Sequence, residues 1–352
     1  MCTCHGGDLY PKRRSAFLDL VRDKGEDAVC VFPSAPVFTR NNDVDHEYRQ
    51  DSDLHYLTGF AEPGTALVLD AKEKKSTMFV RPRDPAREIW DGPRFGVDGV
   101  KEHFAADQAF PIDTLEAELP KLFANKKRLY YRLGVNRSMD DTILKAIDRT
   151  RARAKLGITW PIEIVDPGSV LHEMRIFKSH ADIKAMRKAA DITAEAHLRA
   201  MRVTKPGMHE YQVEALILET FRAHGSERPA YGSIVGSGPN ATILHYRANN
   251  RKMSAGELLL IDAGCEFDYY AADVTRTFPV GGTFSKEQQA IYELVLAAQE
   301  AGIEKTRKGS DLEQIHGACV EVITQGLVDL GLLQGEATQL VKDEAYKPFF
   351  MH

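Results

Sequence analysis

The sequence predicts an α/β domain followed by an α+β domain, and three observations predict it. At 352 residues the chain exceeds what one hydrophobic core ordinarily serves. Its first half alternates short apolar runs with helical stretches, the pattern of a layered α/β domain. Its second half interleaves pairs of amphipathic helices with strand-rich segments, the pattern of an α+β domain.

In the first half, residues 28–32 (AVCVF), 66–69 (ALVL), 77–80 (TMFV) and 128–133 (RLYYRL) read as strands, with helices over 12–24 and 138–154. The stretch 166–179 (DPGSVLHEMRIFKS) opens on Pro and Gly and precedes a long helix. The boundary falls there, giving domains 1–172 and 173–352.

The second half opens with Ser179 as an N-cap and Asp182 in the first turn of a helix reaching about residue 203. A second helix carries Val213, Leu216, Ile217, Thr220 and Phe221 on one stripe and ends at Gly225. Later helices begin at Ser285 and Asp311, both good N-caps. Strands are expected over 231–235, 242–246, 257–263 and 271–278.

Charged residues make up 28% and hydrophobic ones 43%, the balance of a soluble globular chain. A net charge of -5 argues against a partner held through nucleic-acid phosphates. No apolar run is long enough to span a bilayer, and MCTCHGGDLYPKRR lacks a secretory apolar core, so a cytoplasmic protein is expected. The five cysteines are scattered and read as reduced thiols. Cys2, Cys4 and His5 lack a fourth ligand nearby and are not read as a metal site.

The most informative segment is 258–278, LLLIDAGCEFDYYAADVTRTF. Two strand-like runs each carry one aspartate, Asp262 and Asp273. A turn centred between Phe267 and Asp268 places them directly opposite, with Cβ atoms roughly 4.5–5.5 Å apart. Carboxylates so close repel, and a cation between them relieves the repulsion. Oxygen ligands favour hard cations such as Mn²⁺, Mg²⁺ or Ca²⁺. One aspartate could instead serve a turn or pair with Arg276, but Asp268 is the better turn residue. Upstream, YGSIVGSGPNATILHY breaks at Gly236, Gly238 and Pro239, then presents His245. A histidine beside a tyrosine is ordinarily a core residue; just ahead of the carboxylate hairpin it becomes a candidate hydrogen-bond donor or proton shuttle.

These two segments together resemble the catalytic domain of aminopeptidase P, in the pita-bread metallopeptidase family. HEMRIFKS and RVTKPGMHEYQVEA resemble the family's domain junction and first helices. TRNNDVDHEYRQDSDLHYLTGFAEPGTALVL and RPRDPAREIWDGPRFG resemble its N-terminal domain. The resemblance implies a pita-bread (creatinase/aminopeptidase-like) second domain, and release of the N-terminal residue from peptides with proline second, through a hydroxide bridging two divalent cations, Mn²⁺ above all. It makes Asp262 the ligand of one metal and Asp273 the ligand bridging both. It makes His245 and His352 substrate-site histidines, and gives Asp43 and Trp90 substrate-binding roles. It further implies a homo-oligomer, dimer or tetramer.

The family carries three more metal ligands, a histidine and two glutamates, beyond the position of FFMH. The catalytic domain is therefore expected to be incomplete at its C-terminal end and the chain alone inactive. Two carboxylates offer four oxygens, whereas two six-coordinate cations need about ten to twelve positions. Three other readings stay open: an Xaa-Pro dipeptidase of the same fold, a creatine-hydrolysing or methionine-removing relative, and a non-catalytic pita-bread module that binds protein.

Overall fold

In the computed structural model, which describes residues 8–350, strand β1 (Ala28–Pro33) is buried almost throughout, as an internal strand covered on both faces must be. Helix α1 (Leu9–Asp23) precedes it. A small hairpin of β2 (Thr39–Asn41) and β3 (Val44–Asp45) follows. Helix α2 (Ser52–Thr58) starts where the Asp51 carboxylate accepts from the amides of Asp53 and Leu54, both at 2.9 Å. Next come β4 (Ala66–Asp70), β5 (Lys75–Val80), α3 (Pro85–Asp91), α4 (Gly96–Phe104) and β6 (Gln108–Pro111). Then α5 (Leu115–Phe123), β7 (Arg128–Tyr130), α6 (Arg137–Arg151), β8 (Glu163–Val165) and α7 (Gly168–Ile176) complete the first unit.

Its six strands run in the order β6-β5-β4-β1-β7-β8, antiparallel where β4 meets β1 and β5 and parallel elsewhere. Alternation along β1 sorts the side chains into two cores. Ala28, Cys30 and Phe32 share one with Phe17 and Val21 of α1 and Leu54 of α2. Val29 and Val31 share the other with Leu119 and Phe123 of α5 and Ile143 of α6. Each buried Leu, Ile or Phe contributes roughly 1.5–3 kcal/mol. The expected strands and helices of this half are present, and the α/β class with them.

The first unit ends at Ser179 and the second begins at His180, a few residues beyond the expected 172/173. The reason is electrostatic. Asp53, only 5% exposed, takes Arg175 Nη1 at 2.6 Å, Arg132 Nη2 at 3.1 Å and His172 Nε2 at 3.3 Å. His172 and Arg175 belong to α7, so that helix is bound into the first unit.

The second unit begins with α8 (His180–Val203) and α9 (Glu210–Ala223). Strands β9 (Arg228–Pro229), β10 (Ile234–Ser237), β11 (Leu258–Asp262), β12 (Cys265–Phe267), β13 (Tyr270–Ala271) and β14 (Thr275–Pro279) follow. Helices α10 (Lys286–Lys305), α11 (Leu312–Asp329) and α12 (Ala337–Lys342) come last. Ser285 and Asp311 cap α10 and α11, accepting from Gln288 N and Gln314 N at 3.2 and 2.8 Å. Two antiparallel sheets, β10-β11-β14 and β13-β12-β9, form the strand layer. Ala189, Ile192 and Ala196 of α8 and Val213, Ile217 and Phe221 of α9 share a core with Val235, Leu259, Ile261 and Cys265. This is the expected α+β arrangement, with corrections: the strand expected over 231–235 is Ile234–Ser237, and the one expected over 271–278 is interrupted at 272–274. Residues 242–246 are not a strand: Gly238–Thr242 is a 3-10 helix and a turn follows it. Among the described residues no helix is long and apolar enough to cross a membrane. Cys2, Cys4, His5 and His352 lie outside the described residues.

Replacing Asp53 by Asn removes the charge that three cationic or polar groups share. The first unit is expected to lose about 1.5–3 kcal/mol, read as a lower urea midpoint at unchanged m-value.

Candidate functional site

Strands β11 and β14 pair antiparallel with Asp262 across from Thr275, not across from Asp273. The hairpin closes one residue later than expected. Asp268 and Tyr269 both take positive φ, 50° and 65°, and form the two-residue turn between the paired Phe267 and Tyr270. Such a turn matches the right-handed twist of the flanking strands. Asp273 is thereby displaced two residues along the chain from the position opposite Asp262, in the segment 272–274 that links β13 to β14.

The two aspartates nevertheless meet. The Tyr231 hydroxyl lies 2.5 Å from Asp262 Oδ1 and 2.9 Å from Asp273 Oδ1. Burial, together with the bonds to both carboxylates, pushes the Tyr231 phenol up, so it keeps its proton. One proton serves only one acceptor at a time, leaving the second carboxylate facing an oxygen lone pair. Asp262 is half-buried and Asp273 exposed, so the pair faces open surface.

The chain bends between them. Ala263 N donates to Val274 O at 3.1 Å and Ala272 N to Cys265 O at 2.9 Å, bracketing Gly264 and Asp273. A Cβ on Gly264 would lie 1.7 Å from the Ala272 carbonyl oxygen, so only glycine permits this approach. Helix α8 braces the bend from behind. Cys265 N donates to Thr193 Oγ1 at 3.1 Å, and His197 Nε2 lies 3.0 Å from Ala263 O. Burial pushes the His197 imidazole down, so it is neutral at physiological pH. Tyr270, at the hairpin end, is bound to Asp182 in the first turn of α8.

A second polar centre shapes the segment that carries His245. Glu210, at the start of α9, is fully buried. Its Oε1 accepts from Ser237 N and Oγ at 2.7 Å each and from Asn240 Nδ2 at 3.3 Å. Its Oε2 accepts from the Tyr246 hydroxyl at 2.7 Å and Arg251 N at 2.9 Å. Burial alone would raise this carboxyl; the hydrogen bonds from Tyr246, Arg251 and Ser237 outweigh it and hold the group below the usual carboxylate range. These contacts coil the segment and explain why no strand forms over 242–246.

His245 sits on the exposed turn before Tyr246 and makes no hydrogen bond to a described residue. Nothing links it directly to the carboxylate pair. Asp43 is exposed in the turn between β2 and β3, and Trp90, 84% exposed, lies on α3. Sequence reasoning missed Tyr231, His197 and Glu210. The one available signal was Thr193 and His197, polar residues four apart on an otherwise alanine-lined stripe with Ala189, Ala196 and Ala200.

Residues 184–352 match metallopeptidase family M24, and residues 10–130 match the aminopeptidase P N-terminal domain. The chain is 40% identical over 346 residues to the Xaa-Pro aminopeptidase of Escherichia coli K12, covering 97% of this chain and 78% of that one. It is 42% identical over 315 residues to the Xaa-Pro aminopeptidase of Haemophilus influenzae, covering 89% and 71%. Among solved structures, Pseudomonas aeruginosa aminopeptidase PepP superposes with a TM-score of 0.94 at 46% identity, over 97% of this chain and 77% of that one. Zinc-substituted E. coli aminopeptidase P in complex with product gives 0.94 at 38% identity, over 98% and 78%.

Two outcomes test this geometry. Gly264→Ala drives a methyl group into the Ala272 carbonyl and is expected to cost at least about 3 kcal/mol in urea unfolding; a variant as stable as the parent contradicts the close approach. Glu210, held low when folded, contributes stability that is complete above its unfolded value, roughly pH 4.3. That contribution is lost as pH falls further, through the lower folded value. Unfolding free energies measured from about pH 6 to about pH 3 should show this decline, and Glu210→Gln should lack it.

Proposed function

The chain belongs to metallopeptidase family M24, with an aminopeptidase P-type domain at its N-terminus, and on that premise we propose that it is an Xaa-Pro aminopeptidase. It would release the first residue from peptides whose second residue is proline. The observation that carries the proposal is the convergence of Asp262 and Asp273 on one tyrosine hydroxyl, in a chain 40% identical to an Xaa-Pro aminopeptidase.

A metallopeptidase of this family implies divalent metal cofactors, and the donors fit. Both are carboxylates, the oxygen ligands that hard cations take, and Mn²⁺ is the ion we propose. Neither Asp262 nor Asp273 forms an ion pair with a described residue, so their charges are uncompensated. Among the described residues no group of three or more His, Cys, Asp or Glu could hold a metal, so the pair supplies only part of a coordination shell. Divalent cations held there would acidify a bound water and polarise the scissile carbonyl.

The remaining chemistry belongs to the side chains. Tyr231 keeps its proton and fixes the two carboxylates relative to each other. His245, with both ring nitrogens free of other bonds among the described residues, is proposed to hydrogen-bond the substrate beside the scissile bond. His352 is proposed as a second such group. The resemblance alone supports substrate-binding roles for Asp43 and Trp90. Proline explains the selectivity: its nitrogen has no hydrogen and its ring fixes φ, so the pocket needs room for the ring and no acceptor for an N–H.

The 352-residue chain by itself is expected to bind Mn²⁺ weakly in titration calorimetry and to release no detectable residue from an Xaa-Pro tripeptide. A chain lengthened with the remaining C-terminal part of the E. coli relative is expected to gain Mn²⁺-dependent release, abolished by Asp273→Ala. Robust turnover by the 352-residue chain would show the ligands to be misplaced. A lengthened chain that binds Mn²⁺ yet cleaves nothing would favour a protein-binding module.

A further inference from the structure

We propose that His197 is a positioning residue for the carboxylate pair, its imidazole holding the bend at Gly264 by donating from Nε2 to the Ala263 carbonyl. The inference rests on the reading of Asp262 and Asp273 as the ligand pair.

Three observations carry it. First, the histidine is 3% exposed, and its Nε2 lies 3.0 Å from a group that can only accept. The ring is therefore the Nε2–H tautomer. Its Nδ1 is buried with no hydrogen-bond partner. A ring buried with one nitrogen unsatisfied carries a desolvation cost, and a leucine would not. Its bond to the Ala263 carbonyl, with the Val274 backbone as a lesser acceptor beside it, is what distinguishes it from an apolar filler.

Second, the residue it grips stands next to both carboxylates. Ala263 follows Asp262 directly, and its own N–H donates to Val274 O, the residue after Asp273. One imidazole thus fixes the backbone next to each ligand at once. Metal-binding side chains depend on such supporting contacts for their orientation.

Third, the helix and the strand are in register. Thr193 and His197 are four residues apart, about 6 Å along a helix axis. Their partners Cys265 and Ala263 are two residues apart, about 6.6 Å along a strand. The two bonds fall on either side of Gly264 and take up Ala263 O and Cys265 N, the groups that the hairpin's own bonds from Ala263 N to Val274 O and from Ala272 N to Cys265 O do not use. Helix α8 thus supplements the ladder on both sides of Gly264.

The test is amide hydrogen exchange on the 352-residue chain, without metal or substrate, in the parent, His197→Leu and His197→Gln. With leucine, exchange across residues 262–274 should rise roughly tenfold while β10 and α10 stay unchanged. Glutamine, whose Nε2 can reach the same carbonyl, should restore exchange to within about twofold of the parent. Parental exchange in the leucine variant overturns the proposal. So does glutamine behaving like leucine, or faster exchange spread evenly over the second unit. Should the leucine variant not fold, the parent alone still decides: nitrogen NMR of the His197 ring must show Nδ1 without a proton. A proton on Nδ1 overturns the proposal. Failure of the peptidase reading would appear in the Mn²⁺ and peptide measurements and leave the exchange result standing.

Discussion

One hydroxyl proton lies between two carboxylates, and much of the second unit exists to keep that unequal arrangement in place. Tyr231 can satisfy Asp262 or Asp273 at a given moment, never both. Left free, the two charges would separate by rotating their strands apart. They do not, because the backbone beneath them is closed by the approach of Gly264 to Ala272 and gripped by α8. The exposure of Asp273 tempers the repulsion, since water and salt screen what the protein does not.

The two helices that cover the strand layer each contribute a polar device to it. Helix α8 sends Thr193 and His197 to main-chain groups of the hairpin, and α9 sends Glu210 to the segment from Ser237 to Arg251. Both act on backbone as well as side chains, so they shape the chain path and not only its packing. The first unit relies on a different scheme, a sheet covered on both faces with its last helix bound through Asp53. Hydrogen bonds to a charged partner contribute roughly 1.5–3 kcal/mol, against about 1 kcal/mol for neutral ones. A few of them therefore suffice to fix the position of a helix or a loop.

Much of this was legible in the sequence wherever the cause was local. Ser285 and Asp311 announced α10 and α11 because an N-cap acts on amides two or three residues away. The apolar runs of β1 and β4 announced strands because burial on both faces demands them. The aspartates were legible as a pair because both lie close to the hairpin turn, so an error of one residue in its centre still leaves them neighbours. The register itself was not, since nothing in Asp268-Tyr269 advertises positive φ at both positions as Asn-Gly would. Residues 242–246 looked extended because they hold a short apolar run between turn residues and His245, yet Glu210 far upstream decides their path. Tyr231 and His197 escaped notice for the same reason: their partners lie 31 and 66 positions away.

That separation has a consequence during synthesis. Helix α8 leaves the ribosome well before the strands it braces, for His197 and Ala263 are 66 positions apart and Asp182 and Tyr270 are 88 apart. At a translation rate of roughly 5–20 residues per second, α8 waits roughly 3–18 s for its partners. Throughout that interval Thr193 and His197 bond to water, and the alanine-lined stripe between them has nothing to cover it. The bend beneath the carboxylates therefore cannot close until residue 274 has emerged, and each closure must first overcome the entropy of a long loop.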